Sequence, residues 1–295
     1  MSKLIPLGPS LTGTVVVPDL PAAVAAYCDY LCASVMEQGA VSAEQARLWG
    51  KPRLEGAELV TLASPSGHPW LRLLGISGQR RAQPFRELGW MALEVLVEDV
   101  AALAAALQDS PFEVVRPPVG DEAVRAMQVV GPAGEVLYLT QILKPQPPFD
   151  IPAAEATVDR LMAPVSACLR RDESLAVYSK LGATRSWSFE TTLGSANRAL
   201  GLDASLKHPC ATVKLAGRSM VEINQLGLAR ARPPSGGLLP TGIAIVSFVV
   251  DNLDTIGVKT VYPPQPLTGR LYSGQRVAAC RGAAGELIEL IEAAA

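Results

Sequence analysis

A nine-residue segment occurs twice in this chain. Gly131-Pro132-Ala133-Gly134-Glu135-Val136-Leu137-Tyr138-Leu139 returns 151 positions later as Gly282-Ala283-Ala284-Gly285-Glu286-Leu287-Ile288-Glu289-Leu290. Val97-Glu98-Asp99-Val100 returns as Val249-Val250-Asp251-Asn252, and Val115-Arg116-Pro117-Pro118 as Val261-Tyr262-Pro263-Pro264. Ala26-Tyr27 and Val177-Tyr178, each closing an alanine-bearing helical run, stand at the same spacing. Ordered matches at nearly one offset mark an internal repeat, and a repeated unit fixes architecture before any single element is assigned. Its halves meet at Lys144-Pro145-Gln146-Pro147-Pro148, a proline-rich stretch that reads as an extended, semi-rigid linker. Each half divides again, near Ser77–Arg81 and at Arg230–Gly237.

Within a quarter the pattern is strand, helix, then short strands. Gly13–Val17 is β-branched, and Pro18-Asp19-Leu20-Pro21 then starts a helix expected to run to about Met36, with Asp as cap and Pro in the first turn. Ala92–Val97 leads through Asp99 into a helix over Val100–Gln108. Leu161–Leu169 leads into a helix from Asp172 to about Leu181, and Ile243–Val250 into a shorter one. Trp70–Leu74, Val136–Ile142, Met220–Gln225 and Leu287–Ile291 are the closing strands.

Composition narrows the partners. With 49% hydrophobic and 18% charged residues, the 295-residue chain has apolar surface enough to offset its ordering entropy, which excludes a disordered protein. A net charge of −2 without a Lys/Arg block argues against nucleic acid and against a basic membrane face. The longest apolar stretch, Leu238–Val250, is broken by Pro240 and falls short of the roughly 18–20 residues of a membrane span. The first residues hold no apolar run of signal-peptide type, and five cysteines without a close framework read as packing thiols, so the cytoplasm is the expected location. Of the two histidines, His68 and His208, each sits before a proline and reads as a loop residue. No Gly-x-Ser-x-Gly, Walker A or Gly-x-Gly-x-x-Gly motif accompanies them.

A strand running into Val-x-Asp, an alanine-rich helix ending in Tyr, Val-x-Pro-Pro, then Gly-x-x-Gly-Glu with a hydrophobic strand resembles the vicinal oxygen chelate superfamily. That group includes glyoxalase I, bleomycin-resistance proteins and extradiol dioxygenases. The resemblance implies an α+β fold of four βαβββ modules, paired into two domains whose curved mixed sheets each enclose a cup. The expected division is a module pair over 1–143 (about 1–76 and 85–143), a linker over 144–157, and a second pair over 158–295 (about 158–226 and 238–295).

The resemblance also places metal ligands on first strands, usually His or Gln, and on last strands, usually Glu. The last-strand carboxylates here are Glu289 and Glu222, with Tyr138 and Leu71 or Arg72 at the corresponding earlier places. Counting back from the helix cap gives Thr12, Ala92 and Ala244 on first strands, and Arg160 or Ala163 in the third quarter; none is His. The expectation is therefore chemistry without a cofactor, with a divalent metal on carboxylates left open.

The C-terminal pair is expected to hold the site, with Glu289 and Glu222 in one cup as acid/base groups and Arg160 facing them, or else pairing with Glu289 as a structural ion pair. Tyr272, Arg276, His208 and Asn224 would add polar contacts, and Trp187 and Phe189 an aromatic wall. In the first half Tyr138, Trp90, Glu94 and Trp70 read as packing around a second cup. The expected ligand is a small hydrophobic or aromatic molecule. Proton transfer on a small carbonyl or aromatic compound (isomerase, epimerase or lyase) is the leading reading. A sequestering binder of bleomycin-resistance type and a ring-cleaving dioxygenase with atypical ligands are the alternatives, and a homodimer is left open.

Overall fold

The computed structural model describes residues 7–183, 185–233 and 235–294. The first six residues, part of the segment read for a signal peptide, lie outside the described residues, as does Pro234 in the 230–237 division. Four modules follow in order. The first is β1 (Ser10–Val17), α1 (Leu20–Leu31), β2 (Ser34–Ala40), α2 (Ala43–Leu48), β3 (Glu58–Ala63) and β4 (Pro69–Gly75). The second is β5 (Gly89–Val97), α3 (Val100–Ala106), β6 (Glu113–Gly120), β7 (Val124–Val130) and β8 (Val136–Ile142). The third is β9 (Val158–Cys168), α4 (Arg171–Lys180), β10 (Arg185–Thr192), α5 (Gly194–Leu200), β11 (Lys207–Lys214) and β12 (Met220–Gln225). In the fourth, β13 (Gly242–Val250), β14 (Gln265–Pro266), β15 (Arg276–Arg281) and β16 (Leu287–Glu292) surround one 3₁₀ turn at Leu253–Thr255, where the others have a helix.

Module pairing departs from the expectation. One eight-stranded sheet runs β14-β15-β16-β13-β1-β4-β3-β2 and the other β10-β11-β12-β9-β5-β8-β7-β6. The first module thus pairs with the fourth through antiparallel β1 and β13, and the second with the third through β5 and β9. Each cup draws on both halves of the chain. Consequently Glu289 and Glu222, expected together, lie in different sheets. The sheets pack back to back where β1 and β13 meet β9 and β5, and a Cβ on Gly13 would come within 2.4 Å of Leu93. Only glycine allows that approach.

Local chemistry explains the recurrent residues. Asp19 accepts from the Ala22 N–H and Asp99 from the Ala101 and Ala102 N–H groups, so both are helix caps. Asp251, matched to Asp99 in the sequence repeat, is one residue out of step: Asn252 takes the cap position and accepts from the Asp254 N–H. The third module has Arg170 there, and Gln225 from β12 accepts from the Arg171 N–H instead. Helix α1 ends at Leu31 rather than Met36, because Cys32 turns left-handed (φ 52°) and Ser34 begins a strand. That residue is exposed, unlike a packing thiol.

In the Gly-x-x-Gly-Glu turn, the glutamate folds back over its own loop. Glu135 accepts from the Ala133 N–H at 2.8 Å and Glu286 from the Ala284 N–H at 2.9 Å. A Cβ on Gly131 or Gly282 would stand 2.1 Å from that carboxylate. Tyr27 then reaches from α1 to donate to Glu135 at 2.6 Å, whereas Tyr178 and Glu286 Oε1 have no partner among the described residues. Tyr27→Phe is therefore expected to cost about 1–3 kcal/mol by leaving a buried carboxylate oxygen unpaired. Tyr178→Phe, which removes an already unpaired hydroxyl, is expected to be neutral or slightly stabilising. Urea denaturation of the two variants checks the contrast.

Candidate active site

The first-and-fourth-module cup is filled by its own side chains. Arg72 on β4 and Glu289 on β16 form an ion pair at 3.0 Å with both groups essentially inaccessible. Glu289 also accepts from Ser247 at 2.7 Å, Trp49 Nε1 at 2.7 Å and Tyr272 at 3.1 Å. Arg72 Nε donates to Thr14 at 2.8 Å, and its guanidinium lies over the Trp49 ring and donates to the Tyr272 hydroxyl. The adjacent Glu289 charge favours the protonated guanidinium against the cost of burial. Every Glu289 oxygen is thus engaged, and a cation already stands beside it. The expected Glu289–Arg160 pair is not formed: Arg160 holds Asp159 and Glu155. Of the predicted neighbours of Glu289, Tyr272 is brought to it, while Arg276 pairs with Asp254 and Glu292 instead.

The second-and-third-module cup keeps an open volume of about 260 Å³. Its lining includes Glu94, Arg116, Tyr138, Ser195, Glu222 and Asn224. The contrast has a local cause. Helix α2 crosses the first cup, where Gln45 bonds Tyr272 and the following Trp49 reaches Glu289. Its counterpart α5 brings small residues, Gly194, Ser195 and Ala196, and is tied over the second cup by Ser195 donating to Gln128 at 2.5 Å. Arg198 adds a bond to the Val115 carbonyl across the same gap.

Glu94 and Glu222 flank β9 from either side, Glu94 paired with Ala163 and Glu222 with Val165. Glu94 Oε1 accepts from Thr140 at 2.6 Å. Burial first, and the nearby Glu222 charge second, push the Glu94 carboxyl up to about 8, against the Thr140 bond. Burial alone raises Glu222 to about 6. Burial and both carboxylates push the Tyr138 phenol up. Asn224 lies beside them with its amide NH₂ buried and unpartnered. A buried unpaired donor on a cavity wall is a group awaiting an acceptor.

The other predicted contacts fall elsewhere. His208 is a buried strand residue, not a loop residue, and bonds Asn197 on α5 at 2.5 Å. Trp187 packs edge-on against Phe149, and Phe189 is exposed on β10; neither lines this cavity. Sequence reasoning gave Glu94 to packing because the count back from the cap stopped at Ala92. Parallel register sets Glu94 level with Tyr138, Thr14 with Arg72 and Ser247 with Glu289. The available signal was a single charge inside the otherwise apolar β5. Arg116 carried no comparable mark.

No family model matches the sequence, and no curated protein matches it. Solved structures do. Glyoxalase I from Zea mays superposes with a TM-score of 0.62 at 13% identity, covering 96% of this chain and 92% of that one. This chain has the glyoxalase I fold. A Bacillus subtilis subsp. subtilis str. 168 protein described as a "putative dioxygenase" superposes with a TM-score of 0.63 at 10% identity, over 97% of this chain and 85% of that one. The α+β fold of four modules around curved mixed sheets, expected from the sequence, is adopted, with the modules paired first with fourth and second with third.

The metal set associated with this glyoxalase-type fold does not fit the residues present. In the first cup a guanidinium occupies the partner position of the lone glutamate. In the second, two carboxylates stand with Arg116 and Tyr138. Among the described residues no three His, Cys, Asp or Glu side chains converge as a metal site. His68 lies 3.9 Å from Asp159 while His208 is held at Asn197. No described helix is long and apolar enough to cross a membrane.

Proposed function

We propose that the protein transfers a proton at carbon next to a carbonyl, in the cup of the second and third modules, as an isomerase, epimerase or lyase acting on a small molecule. The observation that carries this reading is a pair of carboxylates bordering one cavity with affinities for the proton pushed apart. Such separation divides a base from an acid. Near neutral pH Glu222 is the more ionised and removes the proton, while Glu94, held by Thr140 through one oxygen, keeps its own to donate. The electron pair released from carbon moves onto the carbonyl oxygen. The Asn224 NH₂ and the Arg116 guanidinium supply hydrogen bonds and positive charge for that oxygen. Glu94 then delivers its proton to the enolate, and exchange with solvent restores both carboxyls. At about 260 Å³ the cavity lies below the roughly 300–1,000 Å³ that accommodates drug-sized ligands, which favours a small substrate. This chemistry uses no cofactor.

The test is hydrogen–deuterium exchange, followed by NMR, on a panel of small 2-oxo acids and hydroxyketones. Glu222→Gln is expected to slow exchange by about 10²–10⁴-fold, the usual contribution of a positioned base. Exchange unchanged in both Glu222→Gln and Glu94→Gln would remove the proposal. Saturable binding without exchange by the parent would favour the sequestering alternative, for which the buried Asn224 donor is the supporting observation.

A further inference from the structure

A cavity of about 530 Å³ lies outside the proposed catalytic cup. It opens at the end of the first cup, where Leu287, two residues before Glu289 on β16, shares that residue's face. Leu239, Ile243, Leu287 and Trp90 form a buried floor beneath it, the Trp90 indole N–H committed to the Leu287 carbonyl at 2.8 Å, and the half-buried Leu88 and Pro240 are its accessible apolar lining. Two cations, Lys51 and Arg281, border this apolar space. Lys51 is half-buried just after α2, and Arg281 is exposed at the end of β15. Neither makes a salt bridge among the described residues.

Burial, and then the Arg281 charge, disfavour the protonated Lys51 ammonium, which places the two cations in each other's field. Like charges held together without a counter-ion raise the free energy of the empty site, and an anion between them would relieve it. Arg232 donates to the Leu88, Trp90 and Ile243 carbonyls. The one carboxyl on the lining, Glu286, bonds the Ala284 N–H through Oε2, and its Oε1 is buried away from the cavity surface without a partner among the described residues.

We propose that this cavity is a second binding site, for an organic anion with an apolar or aromatic body. The body lies against Leu88 and Pro240, and a carboxylate or phosphate head sits between Lys51 and Arg281. Its volume falls within the usual range for small-molecule sites. It is independent of the carboxylate pair in the other cup.

The probe is 1-anilinonaphthalene-8-sulfonate, an aromatic anion, titrated by energy transfer from tryptophan. Parent protein is expected to bind it saturably, and the Lys51→Ala/Arg281→Ala double variant at least tenfold more weakly. Ala284→Trp, which fills the cavity from a half-buried position, is expected to abolish binding. Glu94→Gln/Glu222→Gln should leave the affinity unchanged, which separates this site from the catalytic cup. Phenylacetate and phenyl phosphate are the competitors, and whichever displaces the probe at lower concentration identifies the head group. No saturable binding, equal affinity in the double variant, or competition by neutral benzyl alcohol as strong as by either anion would overturn the assignment.

Discussion

Arg72→Met is expected to lower the stability of the protein by about 3–5 kcal/mol, the cost of stripping one partner from a buried ion pair. Glu289 would be left inaccessible, with its charge facing only the neutral donors Ser247, Trp49 and Tyr272. At about 2–4 °C per kcal/mol for a domain of this class, the thermal midpoint should fall by roughly 10 °C. Glu289→Gln should cost a similar amount, because it leaves Arg72 as the uncompensated charge and turns an NH₂ group toward donors. Replacing the pair by two apolar residues usually recovers much of such a loss. Here recovery should be incomplete, since Trp49 Nε1 and the Ser247 hydroxyl lose their acceptor. Urea denaturation of the two single variants and Arg72→Met/Glu289→Met gives the coupling directly. Proton exchange per folded molecule, assigned to the other cup, should survive Arg72→Met. If stability is unchanged, the ion pair is not closed off from water as described.

That Glu289 is a structural residue could not be read from its own segment. Its spacing from Gly285 matches the place of a metal-binding glutamate, and the difference lies 217 residues upstream, in a side chain on β4. Whether the β4 position was Leu71 or Arg72 is a one-residue choice, and in a strand one residue reverses the face. The repeat, by contrast, was legible because it is written in short-range chemistry: in both copies a glycine makes room for a folded-back glutamate. Two closing strands, β8 and β12, have the bounds read from sequence. Module pairing was not legible, because β1, β5, β9 and β13 are all predominantly apolar, and the few charges in β5 and β9 do not say which strands should meet. The choice of β13 for β1 separated Glu222 from Glu289, and joined Glu222 to Glu94. His208 was misplaced by its Lys-His-Pro setting, which reads as a loop but forms the start of β11.

The Glu94–Glu222 pair should make the protein lose stability as pH rises. An ordinary glutamate in the unfolded chain releases its proton near about 4.3, whereas Glu94 in the folded chain holds it to about 8. Between those values the folded state binds more protons than the unfolded one, so stability is full below the unfolded value and is lost as pH rises through the folded one. Glu222 contributes with the same sign over a shorter interval, ending near 6. Glu94→Gln keeps an oxygen for Thr140 and abolishes the titration. The variant should therefore gain on the parent by about 2–4 kcal/mol between pH 5 and pH 9. A fully desolvated group with this shift would give more at about 1.4 kcal/mol per pH unit, but the carboxyl borders an open cavity and retains part of its hydration. Urea midpoints of parent and variant across that range test it, and a constant gap would mean that Glu94 is not shifted. Glu222→Gln then separates the two causes. Burial is the larger of them, so most of the parent's slope above pH 6 should persist when the Glu222 charge is removed. If that slope disappears, the mutual repulsion of the carboxylates dominates. Their protons would then belong to the pair, and either residue could serve as base.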